Sequence, residues 1–162
     1  MPDITYTTPQ GLELQWAMRL LVRIGPAQDL GECTEGWRSN YPILGGTFQG
    51  PALSGQVLPG GADQFLLRRD GVGELDARYS LLTDQGELIN IRNLGLLVLD
   101  EQGQRLSDAG VWPLPAEHYR CTCSPRFQVA EGRLSELRQH MFIGKVCYPS
   151  DDQVQIDCYQ LA

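Results

Sequence analysis

The sequence predicts an all-β fold: a mostly antiparallel, closed β-barrel of about 8–10 strands with one short helix. Three observations predict it. Apolar residues alternate at period two in several segments, 18 glycines and 10 prolines break the chain at short intervals, and no strand–helix–strand alternation occurs. With 162 residues, 42% of them hydrophobic, the chain can bury a sizeable core, and with no linker or break in composition it reads as one domain over 1–162.

In the first segment, LELQWAMRLLVRIG, the residues Leu12, Leu14, Trp16, Met18, Leu20, Val22 and Ile24 share one parity, which predicts a long half-buried strand. Shorter strands are expected around Gly46 to Gln49, Leu53 to Leu58 and Gln64 to Arg69, with glycine and proline as punctuation. Two longer strands flank TDQG. A three-residue loop, Asp84-Gln85-Gly86 with Gly86 left-handed, pairs Leu81 with Ile89 and Tyr79 with Ile91, and so matches apolar to apolar. DEQGQRLSDAGVWPLPAEHY reads as a polar connection with a helical turn after Pro115, leading into a strand through YRCTCSPRFQV. GRLSELRQHMF is the expected helix, of two to three turns, and MFIGKVCYP with QVQIDCYQL forms a closing hairpin around SDDQ.

A net charge of −7, with Lys145 the one lysine, argues against nucleic acid or an anionic membrane surface as partner. MPDITYTTPQGLELQW carries no basic stretch followed by an apolar one, and no apolar run of about 18 residues occurs, so a soluble cytoplasmic protein is expected. Five cysteines, an odd number, are expected as reduced, mostly buried thiols.

The stretch GELDARYS carries the chemical question. Glu74, Asp76, Arg78 and Ser80 share one parity, and Leu75, Ala77, Tyr79 and Leu81 the other. In the register above Arg78 lies opposite Arg92, and like charges across a sheet repel unless Asp76, Glu74 or an anionic ligand neutralises them. In one reading this is an exposed strand bridged by Asp76. In the favoured one the ionic face lines a barrel cavity while the apolar face packs on a partner subunit or a helix. Asp76 and Asp63 are then the catalytic acid/base candidates, and Arg78 and Arg92 hold a carboxylate, phenolate or developing enolate, beside Asn90.

Blander roles compete at each position. Asp63 also suits a turn in PGGAD, and Tyr79 and Tyr119 either orient a ligand through their hydroxyls or only pack. His118, Cys121 and Cys123 form H-x-x-C-x-C without a second ligand pair, so neither metal nor cofactor is expected. His140 reads as a surface or packed residue, and GGTFQG as a strand corner rather than a phosphate loop.

GGTFQGP, LPGGADQ, ELDARYSLLTDQG, IRNLG and SPRF, in this order, resemble the DUF3237 (UPF0311) family from about Leu14 to the C-terminus. The resemblance implies a barrel of about eight to ten strands, often a homodimer, with matching polar positions at Asp63, Asp76, Arg78, Arg92, Asn93 and Arg126. This chain departs from the family pattern at Gln64, where Trp is usual, at Gln128, where Glu is usual, and at Glu136-Leu137-Arg138, where the family has WLN. The function expected is that of a cofactor-independent lyase, isomerase or cyclase acting on a small acidic or carbonyl-bearing metabolite. The alternative is a non-catalytic carrier or sensor, and a third possibility is an assembly protein with no concave polar pocket.

Overall fold

The computed structural model describes residues 11–162. The first ten residues, part of the reading of the N-terminus, lie outside the described residues.

The strands are β1 (Leu14–Ile24), β2 (Gln28–Cys33), β3 (Gly36–Gln49), β4 (Ser54–Val57), β5 (Ala62–Arg68), β6 (Gly73–Thr83), β7 (Leu88–Leu99), β8 (Tyr119–Gln128), β9 (Phe142–Ser150) and β10 (Gln153–Leu161). All pairings are antiparallel. The order β1-β10-β9-β8-β7-β6-β4-β3 closes through a β3–β1 pairing into a barrel. Strands β4 and β5 lie in line, both bridging β3 and β6, and β2 flanks β3 as a hairpin.

The β6–β7 hairpin has the register read from sequence. Leu81 faces Ile89, Tyr79 faces Ile91 and Arg78 faces Arg92, and Gly86 turns the loop at φ 82°. Its facing is the reverse of the favoured expectation. Leu75, Ala77, Tyr79 and Leu81 are buried inside the barrel, while Arg78 is exposed and Asp76 only half-buried. A barrel interior must be filled before it can hold charge, so the apolar parity goes inward.

Two further expectations are corrected. The alternation of the first strand does not run unbroken, because a bulge between Trp16 and Met18 inserts a residue and exchanges the faces. Met18, Leu20 and Val22 are therefore inside, whereas Leu12, Leu14 and Trp16 are exposed. The α-helix, α1 (Glu101–Asp108), lies in the stretch taken for a connection. The Asp100 carboxylate accepts the Gly103 N–H at 2.7 Å as its N-cap, and Glu101 sits in the first turn. The segment expected to be helical holds only a 3₁₀ turn, Ser135–Arg138, while the turn expected after Pro115 is present as Ala116–His118. Among the described residues no helix is long and apolar enough to cross a membrane.

The barrel is filled unevenly. At one end Met18, Phe48, Leu81, Ile89, Phe127 and Phe142 form a tight core, with Leu134 and Leu137 also buried in the same cluster. The other end is hollow.

Candidate functional site

The hollow end encloses a cavity of about 310 Å³. Its walls are mainly apolar: Val22, Ile43, Phe65, Leu75, Leu97 and Ile156 among them, with Trp112 and Tyr148 in the lining. Asp63, Asn93, Tyr41, Tyr79, Ser107 and Asp151 supply its polar side chains. Among the described residues no Lys, Arg or His lines it. A largely apolar cavity with a few polar groups is the usual form of a small-molecule site.

One rung of the sheet sets the geometry. Tyr41 on β3 faces Asp63 on β5, which faces Ala77 on β6, which faces Asn93 on β7. The methyl of Ala77 separates the carboxylate from the amide, so space is left over it. Asp63 is held there by its approach: Gly60 and Gly61 have positive φ, and a Cβ at Gly61 would overlap the Arg78 carbonyl, so only glycine lets β5 meet β6 at this point. The Asp76 N–H then donates to Asp63 Oδ1 at 2.8 Å.

Burial in the apolar wall pushes the Asp63 carboxyl up to about 6; the Asp76 N–H opposes the shift and the Asp76 charge adds to it. Burial likewise raises the Tyr79 and Tyr148 phenols well above their ordinary value, so both remain protonated donors. The thiols of Cys121 and Cys123 are pushed up by burial to about 12 and about 11, which makes them packing groups rather than nucleophiles.

The residues singled out from sequence divide by parity. Asp63 lies in the cavity. The Asp76 side chain points outward and pairs with Arg92, Nε to Oδ1 at 3.3 Å, although its backbone N–H holds Asp63. Arg78, Arg92 and Arg126 face one another in a row on the outer surface of β6, β7 and β8. Asn90 is also outside, accepting the Ser80 hydroxyl at 2.8 Å. The expectation that these side chains converge on the cavity is corrected: they share parity with the wall's outer surface. Tyr119 faces inward but behind the lining. Its oxygen accepts the Tyr148 N–H at 3.0 Å, and its ring lies 5.6 Å from that of Tyr148, which in turn lies 4.9 Å from Trp112. His118 contacts Asp100 through Nδ1 at 3.0 Å, and no cluster of three His, Cys, Asp or Glu suited to a metal occurs among the described residues.

Sequence reasoning passed over Tyr41, Trp112, Tyr148 and Asp151, and took Asn93 only from the family resemblance. Asn93 did carry a signal, since it continues the buried parity of Ile89 and Ile91.

The profile of a family described as "Protein of unknown function (DUF3237)" matches residues 12–161. The chain belongs to the DUF3237 family. A UPF0311 protein of Rhodopseudomonas palustris is 34% identical over 150 residues, covering 93% of this chain and 97% of the relative. The crystal structure of a conserved protein of unknown function from the same organism has a TM-score of 0.86 at 32% identity and covers 96% of this chain and 100% of that one. A crystal structure described as that of an enzyme, from Penicillium herquei, has a TM-score of 0.70 at 17% identity, covering 98% and 100%, a likeness of fold alone. The DUF3237 barrel is thus shared from end to end.

Proposed function

We propose that this barrel is an acid/base enzyme that uses its own side chains to move a proton on a small, uncharged, carbonyl-bearing molecule held in the hollow end. The observation that carries this reading is Asp63, an ionisable group set into an apolar wall and poised near neutrality, where a carboxylate works well as proton acceptor and then donor. Two carboxylates and no cation in the lining favour the carbonyl-bearing substrate over an acidic one.

In the step proposed, the Asp63 carboxylate takes the proton from the carbon next to the carbonyl. The C–H electron pair forms the C=C bond of an enolate, and the charge arriving on oxygen is met by a phenol donor of the lining, Tyr148. Return of the proton to another carbon gives an isomerisation; loss of a group on the next carbon gives a lyase reaction. The fold houses in Penicillium herquei a protein described as an enzyme, which supports a reaction chamber here. A homodimer is part of the proposal: Leu94 on β7, Met141 just before β9 and Ile143 on β9 are exposed on the outer wall and support it.

The test is proton exchange. A panel of small ketones is incubated with the protein in D₂O and followed by proton NMR. Deuterium should enter the α-position of at least one ketone with the wild type and not with Asp63→Asn. Ketones that bind without any exchange would overturn the enzyme and leave a carrier.

A further inference from the structure

Among the described residues the Asp63 carboxylate has no counter-ion in the cavity wall. Its Oδ1 takes the Asp76 N–H at 2.8 Å, whereas Oδ2 has no hydrogen-bond partner among the described residues and, unlike Tyr79 Oη and Asn93 Oδ1, is not sealed in the wall. Asp63 lines the hollow end, so Oδ2 is the edge of the carboxylate left for a guest. Arg78 and Arg92 are exposed on the outer surface and do not balance it from within. A half-buried ion without a partner is costly, so the guest that supplies one gains most.

The surroundings suit an organic cation. Tyr41, directly across from Asp63, and Phe65, two residues further along the same face, meet edge to face with ring centroids 6.1 Å apart, and Trp112 and Tyr148 add two more rings to the lining. Aromatic rings attract ammonium groups, which aliphatic walls do not. Asp151, at the exposed rim, has the same sign as Asp63 and so draws cations in and turns anions away. A metal ion needs more ligands than this: no group of three His, Cys, Asp or Glu suited to one occurs among the described residues. A neutral hydroxyl can bond to Oδ2 but leaves the charge uncancelled.

We infer that the hollow end binds an organic ammonium ion, with its N–H groups on Asp63 Oδ2 and its apolar body along the aromatic walls. This rests on the cavity reading proposed above and adds its regulation: an ammonium guest occupies the group that would take the α-proton and shuts out the ketone.

Of the titratable groups facing Asp63, Tyr41 on β3, Tyr79 on β6, Cys121 on β8 and Tyr148 on β9 are all raised by burial and keep their protons, and the Asp76 side chain is turned outward to Arg92. Asp63 itself is pushed up to about 6 by burial, so the ammonium should lose its hold as the pH falls through that value.

The test titrates the full chain by calorimetry with benzylamine, benzyl alcohol and benzoate at pH 8 and pH 5 in the same salt. At pH 8 benzylamine, a cation at both values, should bind at least about tenfold more tightly than benzyl alcohol, and benzoate should be weakest. Between pH 8 and pH 5 the benzylamine affinity should fall about tenfold while that of the alcohol holds. Asp63→Asn should bring amine and alcohol together, and Asp151→Asn should keep most of the preference. Equal binding of amine and alcohol to the wild type overturns the ammonium site even if neither variant folds. So does an amine preference that ignores pH, survives Asp63→Asn or disappears in Asp151→Asn. Amine preference without α-proton exchange in any ketone sinks the enzyme reading and spares the ammonium site, and exchange without amine preference does the opposite.

Discussion

The two ends of the barrel are built from the same alternating strands and end up unlike. At the packed end the inward positions carry Met18, Phe48, Leu81, Phe127 and Phe142, and the last two rings meet edge to face at 5.0 Å. At the hollow end β6 and β7 present Ala77 and Asn93 inward, with Asp63 on β5 beside them. The difference lies in what fills the lumen: at one end large side chains meet across it, and at the other the walls leave a space of about 310 Å³ beside a few polar groups. Stability is thereby concentrated at one end, and the other is free to hold a ligand.

The sharpest way to break this comparison is at Phe142, which is 1% exposed. Phe142→Ala should cost about 3–5 kcal/mol in urea unfolding. A loss below about 1 kcal/mol would mean that the packed end does not carry the stability.

Asp63→Asn tests the opposite end. The folded carboxyl stands at about 6 against an ordinary 3.8, so its burial penalises the folded state only once it ionises. The Asp63 contribution to wild-type stability should be complete below pH 3.8, fall as the pH rises through about 6 and level off above, on top of the acid losses of the paired carboxylates Glu35, Asp70, Glu87, Asp100 and Asp157. The variant should be flatter over that window and more stable at pH 7.5 by roughly 1–2 kcal/mol, allowing for partial solvent access. Equal pH profiles would contradict a buried carboxylate in the cavity.

The helix beside the hollow end should be sensitive to its cap. Asp100→Ala removes the bond to the Gly103 N–H and the contact to His118, and should lower thermal stability by about 1 kcal/mol.

The smallest effect is expected outside. Arg78→Thr relieves one like-charge neighbour of Arg92 and should be neutral or stabilising by about 0.2–1 kcal/mol in urea unfolding. A loss above about 1 kcal/mol would mean that the outer arginine row holds the wall together.

What was legible in the sequence follows from period two. Alternation and TDQG determined which β6 residues oppose which on β7. They did not say which face is inside, because an ionic face and an apolar face alternate equally well around a full lumen or an empty one. The better rule, visible afterwards, is to look for polar residues on the apolar parity: Asn93 after Ile89 and Ile91, and Asp63 in step with Phe65 and Leu67. Helix α1 was hidden because EQGQRLSD has almost no apolar periodicity. Its signals were the Asp100 cap and Gly103, which is buried against the His118 carbonyl where a Cβ would clash. GRLSELRQHMF misled in the other direction, since Leu134 and Leu137 at helical spacing serve only to cork the packed end.

The in-line pair β4 and β5 leaves a seam in the wall beside Asp63. From Val57 to Ala62 the chain takes five steps while its partner β6 advances only three, from Leu81 to Arg78. The surplus is taken up at Leu58–Gly61, so the two halves of that staff keep separate registers. Lengthening or shortening this seam therefore redraws the chamber while the cork end stays as it is, which makes it the natural place for relatives of this barrel to diverge in what they admit.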